Sequence, residues 1–137
     1  MPEEHRRFFL DRGVGSKQLP TFLRSLGWQL TTMNERYGSA AGQHLSDADW
    51  IRDAAGRGEA ILCKDKAIAK NPLEAQAVWF SSAKVFAIAS AQITGEQMIQ
   101  RVGAHQAAIV RWAELTPGPF VAGVYEGGLR RIELRLS

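Results

Sequence analysis

The feature that most constrains this chain is an alternation: short apolar runs recur between segments whose apolar residues are spaced for helices. Phe8, Phe9 and Leu10 form the first run, read as a buried strand that ends on Asp11. Gly13 and Gly15 turn the chain, after which Leu19, Phe22, Leu23 and Leu26 repeat at helical spacing until Gly27. Trp28 to Met33 reads as a second strand, because Leu30, Thr31 and Thr32 favour extended backbone. The polar, glycine-containing stretch from Asn34 to His44 reads as a loop. A helix starts near Ser46, where Ser46 and Asp49 have capping-box spacing. Trp50, Ile51, Ala54 and Ala55 give it one apolar face, and Gly58 ends it. Ala60 to Cys63 is a third buried strand running into Lys64 and Asp65.

Asn71-Pro72 opens a short helix through Phe80, with proline at the first helical position. Val85 to Ala89 is a fourth strand. Thr94 and Gln97 form another capping box, and one long helix carrying Met98, Val102, Ile109 and Trp112 runs on to Pro117-Gly118-Pro119. Phe120 to Tyr125 and Leu129 to Leu134 close the chain as strands joined through Gly127-Gly128. Strand and helix taking turns is the pattern of an α/β fold with a parallel sheet, to which the last two strands add an edge hairpin. A length of 137 residues, with no linker, repeat or low-complexity stretch, makes residues 1–137 one expected domain.

Several function classes are excluded or weakened. Cys63 stands alone, so an internal disulfide or a thiolate zinc site is not available, and His5, His44 and His105 lack metal-ligand spacing. No nucleophile elbow, phosphate-binding P-loop or dinucleotide fingerprint occurs. No apolar run is long enough to cross a membrane and the start is not a secretory signal, so a cytoplasmic location is expected. The net charge of +3 leans mildly towards polyanionic partners.

The acids are more informative than the sum of charges. Every aspartate lies at or before Asp65, interleaved with Arg12, Lys17, Arg36, Lys64, Lys66 and Lys70. Ligands of open α/β sheets collect beyond the carboxyl ends of the strands. Asp11 and Asp65 follow strands one and three, Glu35 follows strand two, and Asp47 and Asp49 begin the next helix. The topology therefore gathers carboxylates on one rim. Such a cluster needs a cation to stay ionised, and ligands made only of oxygen suit Mg²⁺ or Mn²⁺. Each acid also has a plainer reading. Asp is common in turns, a helix start welcomes Asp47 and Asp49, and Glu35 could be a surface residue. Lys64 and Lys66 could be solvated, and Trp50 and Trp112 belong to apolar faces.

Taken together, FFLDRGVGSKQLPTFLRSLGW, NERYG, DADWIRDAAGRG and AILCKDKAI resemble the PIN-like domain of VapC-type toxins from type II toxin–antitoxin systems. The likeness continues through VFAIA, TGEQMIQRV and PGPFVAGVYEGG. It implies a PIN-like α/β/α sandwich with a central, mainly parallel sheet. It also implies a Mg²⁺- or Mn²⁺-dependent endoribonuclease, an RNA substrate, an antitoxin partner and a homodimer. By motif, Asp11, Glu35, Asp47 and Asp65 become the catalytic and metal-binding acids, with Asp49 a secondary candidate. Lys66 and Arg12 would hold RNA phosphates. The sequence departs from the family at two points: Glu35 is read in a loop where the family has an acid on a helix, and Cys63 stands where threonine is frequent. A non-catalytic metal- or phosphate-binding module fits the same acids. A phosphoacceptor receiver domain fits less well, because Asp11 is followed by Arg12 rather than paired with a second acid.

Overall fold

The computed structural model describes residues 7–14, 18–39, 44–88 and 92–137. Strands β1 (Phe8–Leu10), β2 (Leu30–Thr32), β3 (Ala60–Cys63), β4 (Lys84–Ala87), β5 (Phe120–Tyr125) and β6 (Gly128–Ile132) form one sheet in the order β2-β1-β3-β4-β5-β6. The pairs from β2 to β5 are all parallel, and β6 returns antiparallel from β5. The expected parallel sheet with an edge hairpin is therefore the observed one. Ala89, expected in β4, lies outside the described residues.

Strand alternation sorts side chains into two cores. Phe8, Leu10, Leu62, Phe86 and Phe120 point to one face, under helices α1 (Gln18–Ser25), α6 (Gly95–Ala104) and α7 (Gln106–Leu115). Phe9, Ile61, Val85 and Val121 point to the other, under α2 (Met33–Tyr37), α3 (Asp47–Gly56), α4 (Ala67–Lys70) and α5 (Pro72–Ser81). Strands buried on both faces need continuous apolar runs, which explains why Phe8–Leu10 and Ala60–Cys63 carry no polar position. Trp50 is fully inside the second core, with its ring 5.6 Å from that of Phe9, as its place on the apolar helix face implies.

Three expectations are corrected. The segment after Thr32 is not all loop: Met33–Tyr37 is helical, with Thr32 as its N-cap and Glu35 closing a reciprocal capping box. Strand two is correspondingly shorter, and Trp28 leaves it to stack on Phe8, with centroids 4.4 Å apart. The long carboxyl-terminal helix is two helices, because the chain departs from helical backbone at His105 (φ −117°, ψ 17°). The ring of His105 instead lies 2.9 Å from the Glu126 carbonyl at the β5–β6 turn. The short helix α4 also went unread, since four residues are too few to show a period.

Helix α2 is pinned across the sheet by a buried ion pair. Arg36 donates to both oxygens of Glu59, at 2.7 and 2.5 Å, and its guanidinium lies 4.8 Å from the centroid of Phe9. Both side chains are largely withdrawn from water, at 11% and 4% exposure. Removing one partner leaves the other charge buried and uncompensated. Glu59→Ala is therefore expected to destabilise the fold by about 3–5 kcal/mol. A surface-type loss below about 1 kcal/mol in urea unfolding would show that the pair is solvated.

Candidate active site

The site grows from the ends of β1 and β3. Their parallel register sets Leu10 beside Leu62, and the N–H of Asp11 continues the ladder by donating to the Leu62 carbonyl at 3.2 Å. The chain then turns back, and the N–H of Val14 donates to Asp11 Oδ1 at 3.3 Å. The turn after β1 lies directly on the turn after β3. A Cβ placed on Gly13 would stand 3.0 Å from the Cβ of Lys64 and 3.5 Å from Asp11 Oδ1. A side chain here would have to press Lys64 back by a few tenths of an ångström, so glycine suits the close approach of the two turns. On the other side, Asp65 Oδ1 accepts from the Ala67 N–H at 2.9 Å, and the Cys63 thiol lies 3.7 Å from the Asp65 carbonyl.

Asp47 reaches the same place from α3. Ser46 caps the helix through the Asp49 N–H, which fixes the first turn. The indole of Trp50 then donates to Asp47 Oδ1 at 2.9 Å. Asp49, two residues on, faces away and pairs with Arg52 at 2.8 Å on an exposed surface. The structure thus separates the two acids that sequence alone left together.

Glu74 is the acid that sequence reasoning missed. It sits in the first turn of α5, which packs on α3, and hydrogen-bonds Asp47. Its pKa is pushed up to about 7 by burial, by that hydrogen bond and by the charges of Asp47 and Asp65. Asp11 is also raised to about 7, chiefly because burial penalises the charged form, with Asp47 adding to it and the Val14 and Gly13 N–H groups opposing. The buried Cys63 thiol is pushed up by burial and by Asp11 and Asp65. These mutual influences draw Asp11, Asp47, Asp65 and Glu74 together as one electrostatic unit.

Glu35 has other partners. Arg24 donates to both of its oxygens, at 2.9 and 3.0 Å, and the Thr32 N–H donates to Oε1 at 3.0 Å. Those contacts hold its carboxyl below the usual range, the Arg24 hydrogen bond most of all. Glu35 stands on a helix rather than in the expected loop. Of the two candidate phosphate ligands, Lys66 is exposed at the turn beside Asp65, and Arg12 is exposed beside Asp11.

The donor set suits a hard divalent cation: carboxylate oxygens, with no soft ligand among them but the protonated, buried Cys63. Among the described residues, no three such side chains close around a single point to enclose an ion by themselves. Mg²⁺ is ordinarily held by one or two carboxylates and keeps several waters, so the arrangement fits that mode rather than a protein cage.

Acid side chains drawn from separate segments onto the carboxyl rim of a parallel sheet define a class, the acid-lined α/β/α fold. The chain belongs to the PIN-like domain family: the family model described as a PIN like domain matches residues 6–90. It is also similar to "Putative ribonuclease VapC45" of Mycobacterium tuberculosis (strain ATCC 25618 / H37Rv), at 39% identity over 124 residues, covering 90% of this chain and 89% of that protein. No solved structure matches it. Among the described residues, no helix is long and apolar enough to cross a membrane.

The raised pKa of Asp11 carries a sign. The folded chain keeps this proton from about pH 4, where the unfolded chain loses it, up to about pH 7. Its contribution to stability is full below pH 4 and is lost as pH rises through 7. Without added metal, Asp11→Asn should therefore be more stable than wild type at pH 8, by on the order of 2 kcal/mol, and nearly equal at pH 4. Urea midpoints at the two pH values decide it; a variant weaker at pH 8 would mean the carboxylate is already compensated.

Proposed function

We propose that this protein is a divalent-metal-dependent endoribonuclease, acting as the toxin of a toxin–antitoxin pair. The observation that supports the reading is that Asp11 and Asp65 leave neighbouring parallel strands at one rim, with the charge of Asp47 felt by Asp11, in a chain 39% identical to a protein named "Putative ribonuclease VapC45". Asp11 and Asp65 are the principal ligands, since strand ends hold them rigidly. Asp47 completes the site, directly or through water, and Glu74 steadies Asp47 by their shared hydrogen bond. Glu35, committed to Arg24 and the cap of α2, is left out of the ligand set in this reading. When bound, Mg²⁺ or Mn²⁺ would supply an activated water and offset charge on the phosphodiester. The chain's own part is to fix the carboxylates, keep Asp11 in a poorly solvated place, and offer Lys66 and Arg12 near the phosphates.

Partners follow from the same rim. Leu73, Trp79 and Phe80 are large apolar side chains left exposed on α5, at 71%, 48% and 79%. Leu73 and Phe80 share a groove with Asp47 and Glu74. Apolar surface beside an acidic cleft supports a homodimer and an antitoxin that covers the cleft.

Two measurements test the proposal. Wild type should cleave structured RNA with Mn²⁺, while Asp11→Asn and Asp65→Asn lose on the order of 100-fold or more, with the fold intact by circular dichroism. Variants that cut as fast as wild type would sink the assignment, and metal binding without cleavage would favour a non-catalytic module. Millimolar Mn²⁺ should also raise the melting temperature of wild type, and less so that of Asp11→Asn. For the partners, light scattering should give twice the chain mass, and Phe80→Asp should shift it to the monomer; a wild type that stays monomeric at high concentration removes the dimer.

A further inference from the structure

Most described arginines of the first half of the chain are answered by a carboxylate: Arg24 by Glu35, Arg36 by Glu59, Arg52 by Asp49 and Arg57 by Asp53. Lys66 and Arg130, like Arg101, Arg111 and Arg131, form no ion pair among the described residues, but these two share a ring. Both are exposed, and among the described residues neither meets a carboxylate. Instead both approach one aromatic ring. The Arg130 guanidinium lies 4.7 Å from the centroid of Tyr125, and the Lys66 ammonium 6.0 Å. The three residues come from three places: the turn after β3, the end of β5 and the edge strand β6.

Their position ties them to the acids. Lys66 follows Asp65 directly. Tyr125 ends β5, which runs parallel with β3 and β4, so its ring belongs to the same rim. Only β4 separates β3 from β5, which puts the two strand ends about 10 Å apart. The ring is also seated. A Cβ on Gly123 would stand 2.5 Å from Tyr125 Cε2, so the ring leans back over bare backbone, and any side chain there would lift it. Exposed bases are a common way to blunt an edge strand, and that accounts for Arg130 taken alone. It does not account for a lysine from another segment meeting the same ring.

We propose that Lys66, Tyr125 and Arg130 form a cradle for the phosphates of an RNA strand leaving the acid cluster across the end of β4. This deepens, and rests on, the nuclease reading above. Like-charged ends gathered at a ring and facing water are an electrostatic site for an anion, and the ring limits the freedom the two long side chains lose when they grip. The contacts are to backbone, so the cradle sets the path and affinity of the strand rather than its sequence.

The test is fluorescence anisotropy with a labelled single-stranded RNA in EDTA, titrated over a range of salt, alongside Mn²⁺-dependent cleavage. Lys66→Gln and Arg130→Gln should each weaken binding severalfold and lower the slope of log affinity against log salt by about 0.7, and the double variant by about 1.4. Tyr125→Leu should weaken binding while keeping most of the slope, because the charges remain but are no longer held, and Tyr125→Phe should restore it. In cleavage, the double variant should raise KM more than it lowers kcat. A double variant with wild-type affinity and slope overturns the cradle, as does a wild type that does not bind RNA at all. If wild type binds with the expected slope but never cuts, the nuclease reading fails and the cradle stands.

Discussion

The parallel pairing of β1 with β3 governs everything else at the rim. Its register puts Leu10 beside Leu62, one more hydrogen bond from the Asp11 N–H to Leu62 continues the ladder, and the turn that follows ends β1. Asp11 therefore leaves the sheet beside the Lys64–Asp65 turn, and Gly13 allows the two turns to touch. A slip of one residue would turn the apolar run of β1 over, moving Phe9 out of the core it shares with Trp50 and Ile61. The same core packing that excludes this slip fixes the first carboxylate, so the precision of the site derives from the apolar interior behind it.

Gathering acids has an energetic consequence that the rest of the rim accommodates. Asp11 and Glu74 both have their pKa raised to about 7, the first mainly by burial and the second by burial and its bond to Asp47. Cys63, walled in beneath them, stays a thiol. The indole of Trp50 holds Asp47, and the N–H groups of Val14 and Ala67 hold Asp11 and Asp65, which orients each carboxylate. Such a rim is least comfortable when its carboxylates are ionised without a counter-charge.

Charge pairing divides the surface into two kinds. On α1 to α3, arginine and carboxylate are matched, and these pairs serve local structure: Arg24–Glu35 at the cap of α2, Arg36–Glu59 under it, Arg57–Asp53 at the end of α3. Tyr37 donates to Asp53 within the same group, and its hydroxyl is pushed up to about 12 by burial and that bond. Towards β6 the cations lie against rings instead, Arg130 on Tyr125 and Arg131 on Phe120. Matched charge supports the fold on one side, and on the other, among the described residues, these cations answer rings rather than carboxylates.

What the sequence determined by itself was whatever depends on neighbours in the chain. Continuous apolar runs gave β1 and β3, the Ser46 and Thr94 caps gave the starts of α3 and α6, and the alternation gave a parallel sheet with Asp11 and Asp65 beyond its strand ends. Thr32 and Glu35 carry the same capping signal, which could have revealed α2, but the polar residues around them masked it. Only tertiary structure could decide which acids come near one another. Asp47 and Asp49 are alike in sequence, yet the Trp50 indole holds one at the rim while Arg52 takes the other outward. Glu74 joins because α5 packs on α3, and Glu35 is engaged elsewhere because Arg24 arrives from α1. Lys66, Tyr125 and Arg130 meet only once β5 lies two strands from β3. Capping and periodicity act over a few residues and can be read along the chain, whereas carboxylates and cations interact through space, at distances that exist only after the sheet has formed.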